Sequence, residues 1–358
     1  MSFDLENILR CPETGSPLQR EQNAYVSPAG QRYSIVQGVP VLLTPRDDPT
    51  LWVRQASLSA ALEHPDDPWH EETIGVSPEE LVALKTQLQQ ADANAESIDP
   101  IISFLVGATS GLMYSEHIGD LKTIPIPRLR LPQRSEDHVL LDIGCNWGRW
   151  SIAAAQAGYQ VVGIDPSLGA VLAAQRLACR LGLENVSFVV ADALQLPFAQ
   201  HTFDSIFSYS VLQHFSTENA VAAIEQARMV SKPAAQLLIQ MPNRFGVRCL
   251  YHQWKRRFRP PERFEVRYYS PSMLKKMFGH HYGPCKLSVD GYFGLGIQPS
   301  DRQMMPLPKK LVIDTSELLR CTSRAIRPLV CLADSLYISA RCHPAKAGPR
   351  EAPNIKAY

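Results

Sequence analysis

Between His138 and Asn243 the chain alternates short apolar runs with amphipathic ones, in the order expected of a parallel α/β sheet. The strand candidates are HVLLDIG, QVVGID, VSFVV, FDSIFSYS and QLLIQMP. The helix candidates are GRWSIAAAQAG, SLGAVLAAQRLACRLG and STENAVAAIEQARMVS, each opened by small or polar residues and closed by glycine or proline. The first strand runs into the first helix through LLDIGCNWGRW, where Gly144 and Gly148 let the backbone turn sharply and let a ligand approach the helix N-terminus. Asn146 stands where a second glycine is expected, and asparagine is the non-glycine residue that best tolerates a left-handed backbone.

Two features separate this turn from a dinucleotide loop, which reads GxGxxG and lies against a pyrophosphate. The spacing is DxGxNxG, and a carboxylate at Asp142 repels a pyrophosphate but suits a ligand carrying an ammonium group. Asp165 ends the second strand 21 residues after Gly144, the place from which a carboxylate accepts both hydroxyls of an adenosine ribose. An adenosine with a cationic, non-phosphate tail meets both demands, and S-adenosylmethionine is such a molecule.

With FVVADALQLPF and FDSIFSYSVLQHF following in order, the stretch from His138 to Asn243 plus the closing strands resembles the class I S-adenosylmethionine-dependent methyltransferase family. The resemblance implies an α/β, Rossmann-like sheet with helices on both faces and a transferase activity. It also implies roles: Asp142, Gly144, Cys145, Asn146 and Gly148 border the methionine half of the cofactor, Asp165 holds the ribose, and Asp192 with Ala193 meets the adenine edge. Phe203 and Asp204 match the family's FD at the fourth strand. Taken singly, Asp165 and Asp192 read equally as helix or turn caps; their joint order favours the ligand roles.

Methyl transfer from a sulfonium is an in-line displacement, so the chain's tasks are alignment and exclusion of water, with a base where the acceptor is a hydroxyl or a protonated amine. His214, after the fourth strand, is the candidate base, and Tyr209 is a second catalytic candidate. Gln213 shares the loop and is placed to orient an acceptor. No [DN]PP[YF] follows the fourth strand and no Pro-Cys pair stands there, which disfavours adenine or glutamine amino groups and pyrimidine carbons and leaves O-directed or small-molecule chemistry.

The segment RFGVRCLYHQWKRRFRPPERFEVR, residues 244–267, holds eight basic and two acidic residues interleaved with aromatics. Leu250, Trp254 and Phe258 fall four apart, one face of a helix. Three readings compete: a solvated helix whose aromatic face packs on the core, a cradle for an anionic acceptor in which Arg256 and Arg257 bind substrate, and an RNA contact.

Around this core, residues 1–45 read as a small β-rich domain with one short helix. LENILRCPETGSPL and YSIVQGVPVLL resemble the zinc-ribbon-like domain shared by the activator subunit of tRNA methyltransferases and the N-termini of many bacterial methyltransferases. Thr14 takes the place of the second cysteine of a CPxC pair, so a zinc-less docking or structural appendage is expected and no metal. Residues 46–135 read as a helical linker placed to lid the cofactor, 136–243 as the cofactor-binding core, 244–343 as an acceptor-side insertion with the closing strands, and 344–358 as a disordered tail.

With 36 basic against 35 acidic residues, no global field calls for nucleic acid or a membrane, so contacts with either are local. The eight cysteines show no disulfide or zinc spacing. An N-terminus without a signal segment, and the lack of a spanning apolar run, predict a cytoplasmic enzyme whose only membrane contact is peripheral. Its expected acceptor is a small molecule, a glycan or a lipid-linked group. RNA base methylation, a non-catalytic cofactor-binding partner and a nicotinamide oxidoreductase are the alternatives.

Overall fold

The computed structural model describes residues 4–45, 52–90, 98–109, 113–119, 121–132, 137–262 and 264–343; the tail expected at 344–358 lies outside them. The chain divides into two compact units, Met1–Ala199 and Gln200–Tyr358.

The first unit opens with α1 (Leu5–Ile8) and the strands β1 (Gln19–Glu21), β2 (Ala24–Val26), β3 (Arg32–Val36) and β4 (Val39–Leu42), each antiparallel to the next. The alternating core contributes β5 (Val139–Ile143), β6 (Gln160–Asp165) and β7 (Val186–Ala191). All residues of β5 are buried, as befits a strand covered on both faces. Strand order within the unit is β1-β2-β3-β4-β7-β6-β5. The small N-terminal strands are therefore continuous with the parallel sheet: Val41 pairs with Val190 and Leu42 with Ala191. Val36, Val39, Val41 and Leu43 share one core cluster with Leu168, Val171, Leu172, Phe188 and Val190. A unit of some 45 residues buries too little surface to stand alone, and here it borrows the larger core.

The linker contributes α2 (Trp52–Glu63), a 3-10 turn at Glu71–Thr73, α3 (Pro78–Gln90) and α4 (Pro100–Thr109). Ile101, Ile102, Phe104 and Leu105 of α4 are all fully buried, so this helix is core rather than surface. The core helices of the unit are α5 (Arg149–Gln156) and α6 (Leu168–Arg180). The linker caps α6: Leu168 N donates to Ser57 Oγ at 3.0 Å and Gly169 N to Thr73 Oγ1 at 2.7 Å, which satisfies first-turn amides that have no partner inside a helix.

The second unit holds β8 (Phe203–Tyr209), α7 (Thr217–Val230), β9 (Ser231–Pro242), α8 (Val247–Lys255), α9 (Pro271–His281), β10 (Cys285–Gly291), α10 (Leu307–Thr322) and β11 (Ser335–Arg341). β8 and β9 are parallel, β11 runs antiparallel to β9, and β10 antiparallel to β11. Ser216 and Ser270 cap α7 and α9 through their hydroxyls, as the serines at those positions predict. α10 runs from Leu307 to Thr322, while Arg327–Leu332 forms a separate 3-10 turn. Proline suits the first helical turn, which Pro308 occupies, whereas Pro328 cannot continue a helix. Among the described residues no helix is long and apolar enough to cross a membrane.

Gly169 marks the tightest junction of linker and core, since a Cβ there would lie 2.5 Å from the carbonyl oxygen of His70. Gly169→Ala is expected to cost about 1–3 kcal/mol in urea unfolding. Gly279→Ala in α9, where a Cβ would meet nothing within 4 Å, is the control and should be neutral or mildly stabilising.

Candidate active site

The parallel register brings the predicted cofactor-side residues to one edge of the first unit. Ile143 pairs with Ile164 and Asp165 with Val190, so the turns after β5, β6 and β7 leave the sheet side by side at its carboxyl ends. In an open α/β sheet that is where ligands sit. The turn after β5 is tight: Gly144 N and Cys145 N both donate to Ile164 O at 2.8 Å. Gly144, Asn146 and Gly148 all adopt positive φ, at 74°, 49° and 81°. Asn146 thus takes the left-handed conformation expected of it, and its own side chain accepts from Trp147 N at 2.9 Å. Cys145 is buried, and burial holds its thiol well above its usual value, so it is an inert wall of this turn.

Asp165 stands over the turn. Its carboxylate accepts from Asn146 N and from Ser167 N, each at 3.0 Å, one bond to each oxygen. Each oxygen keeps a further lone pair, and a vicinal diol offers the two donors that would fill them. Burial pushes Asp165 up to about 6. Asp142 lies deeper: it is buried, accepts from Ser151 Oγ at 2.6 Å, and is pushed up to about 7, first by burial and then by the neighbouring Asp165 charge. A cation entering this pocket would relieve both carboxylates, so the residues present fit a sulfonium- and ammonium-bearing nucleoside.

Asp192 and Ala193 are buried beyond the end of β7. Asp192 accepts from Leu194 N at 2.9 Å and from Arg54 Nη1 at 2.9 Å, an ion pair whose side chains are only 2% and 6% exposed. Arg54 comes from α2, and nothing in LWVRQASL distinguishes it from an ordinary solvated arginine. Its role is visible only once the linker is folded.

The acceptor-side candidates lie in the second unit, and there His214, Gln213 and the basic segment come together. His214 ends a 3-10 turn at Leu212–His214, and its Nδ1 lies 2.7 Å from Phe264 O. A carbonyl only accepts, so Nδ1 carries the proton and Nε2 keeps its lone pair. The imidazole stacks on Phe264 at 4.2 Å between ring centroids and 6° between planes. Burial lowers its pKa, the Phe264 carbonyl partly restores it, and the Arg267 charge lowers it again. The ring is neutral at pH 7.

Arg267 pins the turn by donating from its backbone N to Gln213 O and from Nη1 to His214 O, at 2.8 and 2.9 Å. Gln213 is 3% exposed; its Nε2 reaches His214 Nε2 at 3.4 Å, while its Oε1 has no hydrogen-bond partner among the described residues. A buried acceptor without a donor can still accept one bond from a ligand or a water.

Tyr209 is drawn into a different cluster. Its hydroxyl donates to Asp290 Oδ2 at 2.6 Å and accepts from Gln298 Nε2 at 2.8 Å, and Ser335 Oγ donates to the same carboxylate oxygen at 2.7 Å. Asp290 and Gln298 were invisible as partners because they meet Tyr209 only through β10 and the turn that follows. Arg256 donates from Nη1 to Val266 O at 2.9 Å and lies 5.3 Å over the Tyr268 ring, so its guanidinium braces the segment, while Arg257 is exposed.

Residues 140–234 match the family model described as "Methyltransferase domain". A human protein described as "Probable tRNA methyltransferase 9B" is 32% identical over 126 residues, 34% of this chain and 26% of that protein. "Norajmaline N-methyltransferase" of Rauvolfia serpentina is 37% identical over 102 residues, 28% of this chain and 34% of the enzyme. "O-methyltransferase resE" of Aspergillus sclerotiorum is 32% identical over 114 residues, 31% of this chain and 41% of the enzyme. The chain thus spans under half the length of each of these relatives. The stretch of residues 140–234 is what the chain shares with the methyltransferase domain model.

Proposed function

We propose that the chain transfers a methyl group from S-adenosylmethionine to a small-molecule, glycan or lipid-linked acceptor, at oxygen. The observation that carries the acceptor side of this reading is the buried Gln213 Oε1, without a hydrogen-bond partner among the described residues, beside an unprotonated His214 Nε2 held only by a long 3.4 Å contact from Gln213 Nε2. An acceptor hydroxyl presents one proton: Gln213 would orient the acceptor and His214 Nε2 would take that proton as the oxygen accepts the methyl group that the cofactor would supply. S-adenosylmethionine supplies the electrophilic methyl group. Asp165 is assigned the ribose, Asp142 and the turn Gly144, Cys145, Asn146 and Gly148 the methionine half, Asp192 and Ala193 the adenine side, and Arg257 an anionic portion of the acceptor. Tyr209, its proton committed to Asp290, is assigned a positioning role.

The relatives' names point to acceptors as different as a tRNA, a norajmaline nitrogen and an oxygen, so a shared domain does not choose among them. The deciding experiment incubates the protein and its Asp165→Ala variant with methyl-labelled S-adenosylmethionine and host extract, then separates small molecules, lipids, protein and RNA. Asp165-dependent label in the small-molecule or lipid fraction supports this reading. Label in RNA would overturn the acceptor and leave the cofactor.

With that acceptor in hand, His214→Gln should lower kcat by about 10²–10⁴-fold with little change in KM. Because burial lowers the His214 pKa, the neutral base persists below the usual histidine range. The acid limb of the kcat profile should therefore fall below pH ~6.5, and should vanish in the variant.

A further inference from the structure

The apolar stripe of the basic segment does not pack on the core, as one sequence reading had it. In α8 the buried residues are Cys249 and Gln253. Phe245, Val247, Leu250, Tyr251, Trp254 and Phe258 are instead exposed, at 45, 56, 41, 52, 66 and 60%. Within α8, positions 247, 250, 251 and 254 recur at three- and four-residue spacing, so they form one outward stripe, while Phe258 lies past the helix end, where Arg257 and Phe258 take positive φ.

The stripe is held outward by the fold. Asp334, fully buried, accepts from the first-turn amides Arg248 N and Cys249 N at 2.7 and 3.0 Å, and Gln253 Nε2 donates to Arg244 O and Cys249 O at 2.8 and 3.0 Å. A Cβ on Gly246 would lie 2.4 Å from Asp334 Cα, which keeps the start of α8 against the turn before β11. A helix anchored this way along its polar side cannot roll its apolar side inward.

Exposed apolar side chains of this number need a partner. Arg248 and Lys255 flank the stripe, both exposed and paired with no carboxylate among the described residues. The whole segment 244–267 has eight basic against two acidic residues in a chain of net charge +1. The cationic excess calls for an anionic partner. Val247 and Leu250 gain nothing by stacking on bases, which disfavours RNA, whereas aliphatic and aromatic side chains on a cationic helix are the composition that enters the headgroup boundary of a bilayer.

We propose that the outer face of α8 docks this protein on an anionic lipid surface, with Leu250, Tyr251 and Trp254 entering the acyl boundary and Arg248 and Lys255 meeting the headgroups. The proposal goes beyond the methyl-transfer reading and needs neither cofactor nor acceptor, so each can fail without the other.

The test is flotation of the full chain with phosphatidylcholine vesicles, with and without phosphatidylglycerol. Wild type should float with the anionic vesicles and not with the neutral ones. Leu250→Ser/Trp254→Ser should lower the partition coefficient about tenfold or more, and Arg248→Glu/Lys255→Glu should abolish the preference for anionic lipid. Both variants change exposed side chains, and unchanged unfolding midpoints would establish that they are folded. Failure of wild type to float with either vesicle overturns the proposal. So does undiminished flotation of the Leu250→Ser/Trp254→Ser variant, which would reduce the contact to bare electrostatics, and so does equal protection of the stripe from surface labelling by RNA.

Discussion

Asp165→Ala should lose S-adenosylmethionine affinity by about 100-fold or more in isothermal titration. Two hydroxyls bonded to one carboxylate are worth about 1.5–3 kcal/mol each, and the substitution removes both acceptors. The same residue also holds Asn146 N and Ser167 N. Asp165→Asn keeps the shape and one acceptor oxygen but sets an NH2 against one of these amides, so it should bind weakly while losing less of the unfolding midpoint than Asp165→Ala does. Retained tight binding in both variants would remove Asp165 from the ribose site.

The pH dependence gives a second handle on this pocket. Asp165 titrates near 6 and Asp142 near 7, both above their usual 3.8. Cofactor affinity should fall as pH drops through about 6, because a protonated Asp165 no longer offers both oxygens. Stability moves the other way. A carboxylate whose folded pKa is raised binds more protons folded than unfolded between 3.8 and its folded value, so its contribution becomes less favourable as pH rises through that window. Replacing Asp142 by Asn should flatten that slope in urea unfolding of the ligand-free protein.

Arg54→Ala is expected to be the most destabilising single change in the linker, at about 3–5 kcal/mol by urea unfolding. Removing the guanidinium leaves the Asp192 carboxylate in a nearly dry site, and an unpaired buried charge costs far more than the intact pair contributes. Arg54→Met/Asp192→Leu removes both charges and should recover most of the loss. If Arg54→Ala were as stable as wild type, the linker would not be seated on Asp192.

What was legible in the sequence is what depends on near neighbours. β5 to β9 and α5 to α7 lie where strand and helix periodicity put them, since burial on one face or both is written into residues two to four apart. The left-handed Asn146 is a property of one residue type in one turn.

The sequence by itself determined the strand and helix segments of the core, the glycine turn and the carboxylates at Asp142 and Asp165 beside it, because those follow from local sterics and charge. Only the tertiary structure decided that β4 joins β7, that Arg54 meets Asp192 across 138 residues, that Phe264 sets the proton of His214 across 50, and that the stripe on α8 faces outward. Each of these is a contact between segments whose own patterns are compatible with several partners. The choice is made by which surfaces remain to be buried once the rest of the chain has folded.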